Sequence, residues 1–266
     1  MALIISPKTT EDQIKQLSEY FNLRKIPKDR SYLELGNFND NFYFANLGKV
    51  PLYVILTGYG GASVGFAVAQ YEKNYKNKDP YPEAYFLGSI LKARRATNLR
   101  LADILYANDT YGEDEWAQSI YRIAKRRKVK KITKPSKNLV DRITAISKRE
   151  GIMLKHGKIL SRWHPGYVKD YKNIIDLVDE GFWWKFTLST GRYKNHNFDG
   201  GEIECASFLS TCRLAKVPAI ALLYVRDERI GKGYDRLSYR IAKKEDKART
   251  QENILKLIKL SLQSLS

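Results

Sequence analysis

Three acidic side chains stand at positions where a protein of alternating strands and helices can use them in catalysis. Glu202 and Glu204 lie at the start of a predicted helix, and Asp227 directly follows a predicted strand. The helix dipole stabilises acids at a helix start, so the two glutamates can simply serve that end. Alternatively, Glu204 accepts hydrogen bonds from the vicinal hydroxyls of a sugar. Asp227 can protonate a leaving group or cap the loop that follows it.

A glycine-rich turn is a second candidate for chemistry. Residues 57–63 (Thr-Gly-Tyr-Gly-Gly-Ala-Ser) join an apolar strand to a helix of small residues. Glycines let the backbone approach a ligand, and the N–H groups of a helix N-terminus attract an anion. The order of residues fits neither a P-loop nor a dinucleotide-binding turn. The segment therefore indicates either an anion site that includes Gly58 and Gly60 or a plain tight turn.

The elements that position these groups alternate along the chain. Apolar runs, most of them rich in Ile, Leu and Val, predict strands at 2–5, 52–56, 85–87, 103–106, 153–160 and 219–225. Apolar residues at helical spacing predict helices at 10–21, 64–71, 115–131, 139–150, 203–214 and 251–262. This alternation is typical of an α/β domain with a largely parallel sheet that is covered on both faces.

Four polar or glycine-containing segments directly follow predicted strands. In open α/β sheets, ligands bind beyond the carboxyl ends of the strands. The segments at these ends are Ser6–Glu11, Gly58–Ser63, Gly88-Ser89 and Arg226-Asp227. No linker rich in Pro, Gly or Ser divides the chain, so we predict a single domain over residues 1–266 with its site at this edge.

The composition is that of a globular protein with excess positive charge. Of 266 residues, 43% are hydrophobic and 29% are charged, which excludes disorder as the dominant state. Lys and Arg number 47 against 29 Asp and Glu, a net charge of +18. Nine of the sixteen residues from Arg122 to Lys137 are Lys or Arg. The charge favours anionic partners, such as nucleotides, nucleic acid or phosphate, but it also fits a basic surface without a specific partner.

We predict a cytoplasmic protein that does not contact a membrane. The first residues lack the basic and apolar regions of a signal peptide, and no apolar run approaches the roughly 18 residues of a membrane span. Cys205 and Cys212 would lie about 10 Å apart in one helix, too far for a disulfide. No cysteine or histidine spacing matches a zinc site, so no metal is predicted.

These motifs, taken in order, resemble the nucleoside phosphorylase/nucleosidase superfamily, which includes purine nucleoside phosphorylases, uridine phosphorylases and methylthioadenosine nucleosidases. Residues 57–63 are similar to its Thr-Gly-x-Gly-Gly-Pro-Ser loop, and Gly88-Ser89 to its Gly-Ser/Thr strand end. Residues 101–104 resemble Val-Gly-Asp-Ile, and residues 201–206 (Gly-Glu-Ile-Glu-Cys-Ala) resemble Val-Glu-Met-Glu-Ala-Ala. Residues 225–227 (Val-Arg-Asp) resemble Val-Ser-Asp. The resemblance extends from residue 3 to about residue 262.

The resemblance implies a three-layer α/β/α domain with a mixed, largely parallel central sheet, assembled as a homo-oligomer of two to six subunits. It implies cleavage of the N-glycosidic bond of a nucleoside or nucleotide, without a cofactor and with inorganic phosphate as a possible co-substrate. The signature glutamate that holds the ribose hydroxyls corresponds to Glu204, next to Ile203. The aspartate that assists the leaving purine corresponds to Asp227.

The resemblance also implies a position for the residues that face the base. The segment from Gly157 to Ser161 leads, in the family, to an aromatic residue that stacks on the base. By that likeness Trp163, His164 or Tyr167 would face the base. Each of the three is equally compatible with ordinary packing or a loop.

Arginines that bind phosphate in the phosphorylases are missing at the matching positions. Ser6–Thr10 stands in place of Gly-Asp-Pro-x-Arg, and Phe86 in place of the arginine two residues before Gly-Ser. Asn37 stands near the position of an arginine that a neighbouring subunit lends. Phosphate needs charge-assisted donors, and the candidates that could partly replace the missing arginines are Lys8, Ser89, Arg94 and Arg95. This pattern leaves phosphorolysis open and makes hydrolysis the working hypothesis.

Hydrolysis requires a base that activates water. Glu11 follows Ile5 by six residues, near the position of the glutamate that serves this role in the nucleosidases. In this hypothesis Glu11 is the general base, Glu204 holds ribose and Asp227 protonates N7 of the purine. Glu11 is also compatible with a plain acidic residue in the first turn of a helix.

Two other functions remain open on the sequence. The missing arginines suit a catalytically inactive protein of the same fold that binds a nucleoside or nucleotide. The basic run from Arg122 to Lys137 suits a protein associated with nucleic acid, whose affinity would fall steeply with salt. The sequence contains no helix-turn-helix, RNA-recognition or zinc-finger pattern in support of the latter.

Overall fold

The computed structural model describes twelve parts of the chain. They are residues 2–7, 11–25, 41–57, 60–75, 83–93, 96–112, 116–117, 119, 132–162, 191–193, 195–229 and 239–265. Their helices are α1 (Glu11–Phe21), α2 (Gly61–Tyr75), α3 (Lys137–Arg149), α4 (Cys205–Leu214) and α5 (Lys244–Gln263).

The strands of these parts run from the N-terminus to just before α5. They are β1 (Ala2–Pro7), β2 (Arg24–Lys25), β3 (Asn41–Leu47), β4 (Val50–Thr57), β5 (Glu83–Lys92), β6 (Ile104–Gly112), β7 (Ile132–Thr133), β8 (Leu154–Ser161), β9 (Arg192–Tyr193), β10 (His196–Asn197), β11 (Gly200–Glu202), β12 (Ala219–Arg229) and β13 (Tyr239–Ile241).

One mixed sheet forms the centre of the fold. Its order is β13-β12-β6-β8-β11-β5-β1-β4-β3-β2, with β7 paired to β6. The neighbours β4, β1, β5 and β12 are parallel, whereas β3 pairs with β4 and β13 with β12 in antiparallel fashion. Because β12 pairs with β5 as well as with β6, strands β12, β6, β8, β11 and β5 close into a ring. The carboxyl ends of β4, β1, β5 and β12 lie at one edge, and β11 begins at that edge because it runs antiparallel to β5.

Helices cover both faces of the sheet, which confirms the three-layer α/β/α architecture. On one face α2 and α4 pack against the sheet through buried residues such as Val68, Phe86 and Phe208. On the other face α1, α3 and α5 pack through residues such as Ile143 and Ile258. The central strands are apolar on both sides because both sides are covered. The single domain predicted for residues 1–266 remains a prediction.

Two strands extend further than the sequence predicts. Gly88-Ser89 and Arg226-Asp227 were expected to follow strand ends, but β5 continues to Lys92 and β12 to Arg229. The reason is pairing with strands that the sequence did not predict. Gly200 of β11 pairs with Lys92, and Ile241 of β13 pairs with Asp227. Both segments thus lie inside the ordered sheet rather than in loops.

A buried polar network joins β5 to the helices on the second face. Arg142 of α3 donates to Glu83 and, at 2.8 Å, to Oγ of Ser261 in α5. The Tyr85 hydroxyl donates to Glu83 at 2.9 Å, and burial raises the pKa of this phenol. Every polar group of the network has a partner, so it anchors α3 and α5 to the start of β5.

Both cysteines lie in α4. Cys205 and Cys212 are buried and form no disulfide. Among the helices of the described ranges, none combines the length and the apolar character that a membrane span requires.

Candidate active site

The glycine turn and the signature glutamate meet at the carboxyl edge of the sheet. The N–H of Gly60, just before α2, donates to Oε1 of Glu204, just before α4, at 2.9 Å. Both residues are buried. Gly60 has φ +98°, a conformation that glycine adopts without strain. The turn thus fixes the position of the carboxyl group of Glu204, and the binding of an anion by Gly58 and Gly60 remains a prediction.

The sequence predicts Glu202 at the start of α4, whereas the structure places it in strand β11. Its side chain folds back over the helix start. Oε2 accepts the N–H groups of Glu204 at 2.5 Å and Cys205 at 2.7 Å, and Oε1 accepts the hydroxyl of Ser161. Oγ of Ser161 in turn accepts the N–H of Ala206 at 2.8 Å. Together Glu202 and Ser161 cap α4 and hold Glu204 at its end.

Glu202 and Glu204 form a buried pair of carboxyl groups. Glu202 is 6% and Glu204 is 5% exposed. Burial, together with the nearby charge of Glu204, raises the pKa of Glu202 to about 8, although the three hydrogen bonds to its oxygens oppose this shift. The two carboxyl groups therefore titrate as a coupled pair, and burial disfavours the state in which both are charged.

We expect Glu202 to make the protein less stable as the pH rises. The pKa of Glu202 lies near 4.5 in the unfolded chain and is raised in the folded protein. Between those two values the folded state keeps a proton that the unfolded state has lost. The free energy of unfolding therefore falls with rising pH, by up to about 1.4 kcal/mol per pH unit from this group.

The variant Glu202→Gln isolates this contribution because it removes the titrating group and keeps an acceptor for the two N–H groups. Melting temperatures of the variant and the original protein, measured from pH 4.5 to 8, should diverge, with the variant gaining relative stability as the pH rises. Glu19→Gln, on the exposed face of α1, should show a constant difference. A constant difference for Glu202→Gln too would disprove the assignment.

Asp227 lies beside an irregularity of β12. Val225 pairs with Ile90 and Asp227 pairs with Leu91, so Arg226 is an extra residue between them. Nε of Arg226 donates to Oδ2 of Asp227 at 2.7 Å. The side chain of Asp227 is 14% exposed and that of Arg226 is 43% exposed. Asp227 is thus a partly accessible carboxylate in an ion pair with its own neighbour.

Strand register relates the acidic groups to each other. Gly201 of β11 pairs with Leu91 of β5, and Leu91 also pairs with Asp227 of β12. Neighbouring strands lie about 4.8 Å apart, so the backbones of Gly201 and Asp227 are separated by about 10 Å. Because Glu204 follows Gly201 by three residues, the signature glutamate and the aspartate belong to one region of the sheet edge.

Phe86 occupies the position at which phosphorylases carry an arginine. It is 1% exposed, and its ring centroid lies 5.5 Å from that of Phe208 in α4. The ring also covers Gly88, because a Cβ at that glycine would lie 2.6 Å from Cε1 of Phe86. At the position that the resemblance aligns with this arginine, the chain therefore has an apolar ring packed in the core.

Ser89 and Ile203 complete the described site residues. Ser89 lies within β5 and pairs with Tyr224 of β12. Alternation along the strand places its side chain on the face opposite to that of Phe86. Ile203 is half-buried between the two glutamates. It remains a prediction that Ser89 binds an anion and that Ile203 contacts ribose.

The other predicted site residues lie outside what the structure describes. Glu11 begins α1, but the description does not extend to its side chain. The predicted site residues outside the described ranges are Lys8, Gly58, Trp163, His164 and Tyr167. Residues 122–131, which make up most of the basic run, also lie outside these ranges.

Sequence reasoning missed three partners at this edge. Ser161 was not predicted to support α4, and Arg226 was not predicted to pair with Asp227. The third partner is Lys92, a buried cation that donates to Glu228 at 2.6 Å. Glu228 also accepts a hydrogen bond from Arg240 at 2.6 Å. These contacts depend on register and on a bulge, for which the sequence carries no local signal.

The described residues contain no group of three or more His, Cys, Asp or Glu side chains that could hold a metal ion. What they offer is carboxylates, a guanidinium and backbone N–H groups. Such a set can bind hydroxyl groups and transfer protons.

Comparison with known proteins relates the whole chain to solved structures. No family model and no curated protein sequence matches it. The 5′-methylthioadenosine/S-adenosyl homocysteine nucleosidase of Campylobacter jejuni superposes with a TM-score of 0.66 and 16% identity, covering 98% of this chain and 97% of that one. A mutant futalosine hydrolase of Helicobacter pylori superposes with a TM-score of 0.63 and 14% identity, covering 99% and 98%.

A phosphorylase superposes equally well. The purine nucleoside phosphorylase of Toxoplasma gondii, solved in complex with immucillin-H, gives a TM-score of 0.66 at 12% identity and covers 100% of this chain and 90% of that one. At these identities the likeness establishes the fold. The chain therefore has the fold of the nucleoside phosphorylase/nucleosidase superfamily, as the resemblance of its motifs predicts.

Proposed function

We propose that the protein hydrolyses the N-glycosidic bond of a purine nucleoside or nucleotide. The observation that carries this proposal is the bond from the Gly60 N–H to Glu204, which fixes a buried carboxylate at the sheet edge near Asp227. A carboxylate accepts hydrogen bonds from two vicinal hydroxyls, so Glu204 suits a ribose. The shared fold of a nucleosidase and a phosphorylase supports the same class of reaction.

The proposed reaction uses three side chains. A water oxygen bonds to C1′ of the ribose as the bond from C1′ to N9 breaks. One proton of the water passes to the carboxylate of Glu11, and N7 of the leaving purine receives a proton from the carboxyl group of Asp227. Solvent then returns the proton from Glu11 to Asp227. Glu204 holds the ribose hydroxyls throughout, with Ile203 beside it.

The ion pair at Asp227 sets a requirement for this reaction. Asp227 forms an ion pair with Arg226. It therefore has to gain a proton before it can donate one to N7. A neighbouring guanidinium stabilises the carboxylate that forms again as the base leaves. Arg226 thus supports the product side of the proton transfer.

Phe86 favours water over phosphate as the acceptor of the ribosyl group. Phosphate binding relies on charge-assisted donors, above all arginine. At the matching position this chain places an aromatic ring packed against Phe208. Water carries no charge and needs only a base and a small cavity. Lys8 and Ser89 remain the proposed anion ligands if phosphate does take part.

The test is an assay of base release with product identification. Purine nucleosides and their 5′-phosphates are incubated with and without inorganic phosphate, and the sugar product is identified. We expect free ribose from a nucleoside or ribose 5-phosphate from a nucleotide, at a rate that inorganic phosphate does not change. Binding of a nucleoside without any turnover would favour the inactive binding protein instead. The homo-oligomeric state of two to six subunits remains a prediction.

A further inference from the structure

The side chains of Arg226 and Asp227 meet, although neighbours in a regular strand do not. Successive side chains of a strand point to opposite faces of the sheet. A bulge inserts one residue, bends its strand and turns a side chain in a new direction. Arg226 is that inserted residue, and its Nε donates to Oδ2 of Asp227 at 2.7 Å. The bulge therefore places a guanidinium next to the carboxylate that faces the base in the proposed function.

Two of the other described cations near Asp227 have a different partner. Lys92 and Arg240 both bond the next residue, Glu228, each at 2.6 Å. Lys92 is buried, with 5% of its side chain exposed. Arg226, with 43% of its side chain exposed, is the described cation that pairs with Asp227 itself. Of these three cations, Arg226 is thus the one placed to contact a base at Asp227.

The chemistry of guanidinium selects between two kinds of purine. It has five N–H donors in a planar fork and no acceptor. The purine edge at N7 carries the acceptors N7 and O6 in guanine and hypoxanthine. In adenine the same edge carries the acceptor N7 and an N–H donor. A guanidinium matches O6 and opposes the 6-amino group, so it discriminates in favour of the 6-oxopurine.

We propose that Arg226 is a specificity-determining residue that donates to O6, and that the preferred substrates are nucleosides of 6-oxopurines. The proposal rests on the proposed function, in which Asp227 faces N7. Asp227 orients the guanidinium through Nε, and the terminal nitrogens contact O6. A pyrimidine also offers a carbonyl, but it has no N7 for Asp227 to protonate.

The test compares kcat/KM for inosine, adenosine and uridine. The original protein should prefer inosine over adenosine by about tenfold or more. Arg226→Gln should reduce or reverse this ratio, because a glutamine amide can accept from the 6-amino group as well as donate to O6. Arg249→Gln, which removes the arginine of an exposed Arg–Asp pair on α5, is the matched control and should keep the ratio.

Binding of free bases separates this inference from the proposed function. Calorimetry should show tighter binding of hypoxanthine than of adenine by the original protein, and a smaller difference in Arg226→Gln. Arg226→Lys, which keeps the charge but loses the planar fork, should lie between them and serves if the glutamine variant does not fold. Equal binding of both bases, or a preference for adenosine, overturns the inference even if nucleosides are cleaved. If no nucleoside is cleaved, the proposed function fails, and the two binding constants still decide the role of Arg226.

Discussion

Asp227→Asn should lower the rate of base release by about a hundredfold to ten-thousandfold, the range typical of a lost general acid. Asparagine keeps the shape of the side chain and an oxygen that accepts from Nε of Arg226. It has no proton to deliver to N7. Because the ion pair with Arg226 is partly exposed, the loss of stability should stay below about 1 kcal/mol.

The matched control for this variant is Asp246→Asn, which changes an aspartate in an exposed ion pair with Arg249 on α5. Single-turnover rates and melting temperatures of both variants are measured together. We expect full activity for Asp246→Asn. A rate for Asp227→Asn within a few fold of the original protein would remove Asp227 from the mechanism.

Glu204→Gln should reduce kcat/KM by about a hundredfold, because hydrogen bonds to a charged acceptor contribute roughly 1.5–3 kcal/mol each. The amide oxygen can still accept the N–H of Gly60, so the turn before α2 keeps its partner. Removal of the charge also relieves its repulsion of Glu202, whose pKa it raises. Stability near neutral pH should therefore be maintained or increased.

Glu204→Ala separates the two roles of this side chain. It removes the ribose contact and also leaves the buried N–H of Gly60 without an acceptor, at a cost of about 1–3 kcal/mol. Denaturant unfolding should show this loss for alanine and not for glutamine. Glu19→Gln on the surface of α1 is the control for both measurements. Equal activity of the original protein, Glu204→Gln and Glu204→Ala would contradict the assignment of Glu204 to ribose.

The fold could be predicted from the sequence because its signals are local. Continuous apolar runs mark β4 and the first part of β12, and helical spacing of apolar residues marks α3 and the end of α5. Covered faces follow from such runs, and so does the alternation of strands and helices. The order of motifs added the superfamily, which composition and periodicity alone do not distinguish from other α/β folds.

The site was less predictable because its geometry depends on distant pairing. Gly60 and Glu204 are 144 residues apart, and each motif alone suits a plain turn or a plain helix start. Glu202 was expected in the first turn of α4, yet pairing with β8 draws it into β11. Arg226 contacts Asp227 because of a bulge in β12 against β5, and no local pattern in the sequence predicts a bulge. The roles of the predicted acids remain predictions, and their partners are visible only in the structure.

The net positive charge of the chain is poor evidence for a phosphate site. The net charge is +18, and the run from Arg122 to Lys137 holds nine cationic residues. Where phosphorylases carry an arginine, this chain places Phe86 in its core. Lys92 bonds Glu228, and Arg226 bonds Asp227. The excess charge therefore gives little support to phosphorolysis.

The central claim is hydrolysis at the carboxyl edge of this sheet, and identification of the sugar product tests it most directly. Purified protein is incubated with inosine in phosphate-free buffer and in buffer with phosphate, and the products are separated and identified. We predict free ribose and hypoxanthine at the same rate in both buffers, and no product from Asp227→Asn on the same time scale. Ribose 1-phosphate that forms only when phosphate is present would contradict the account.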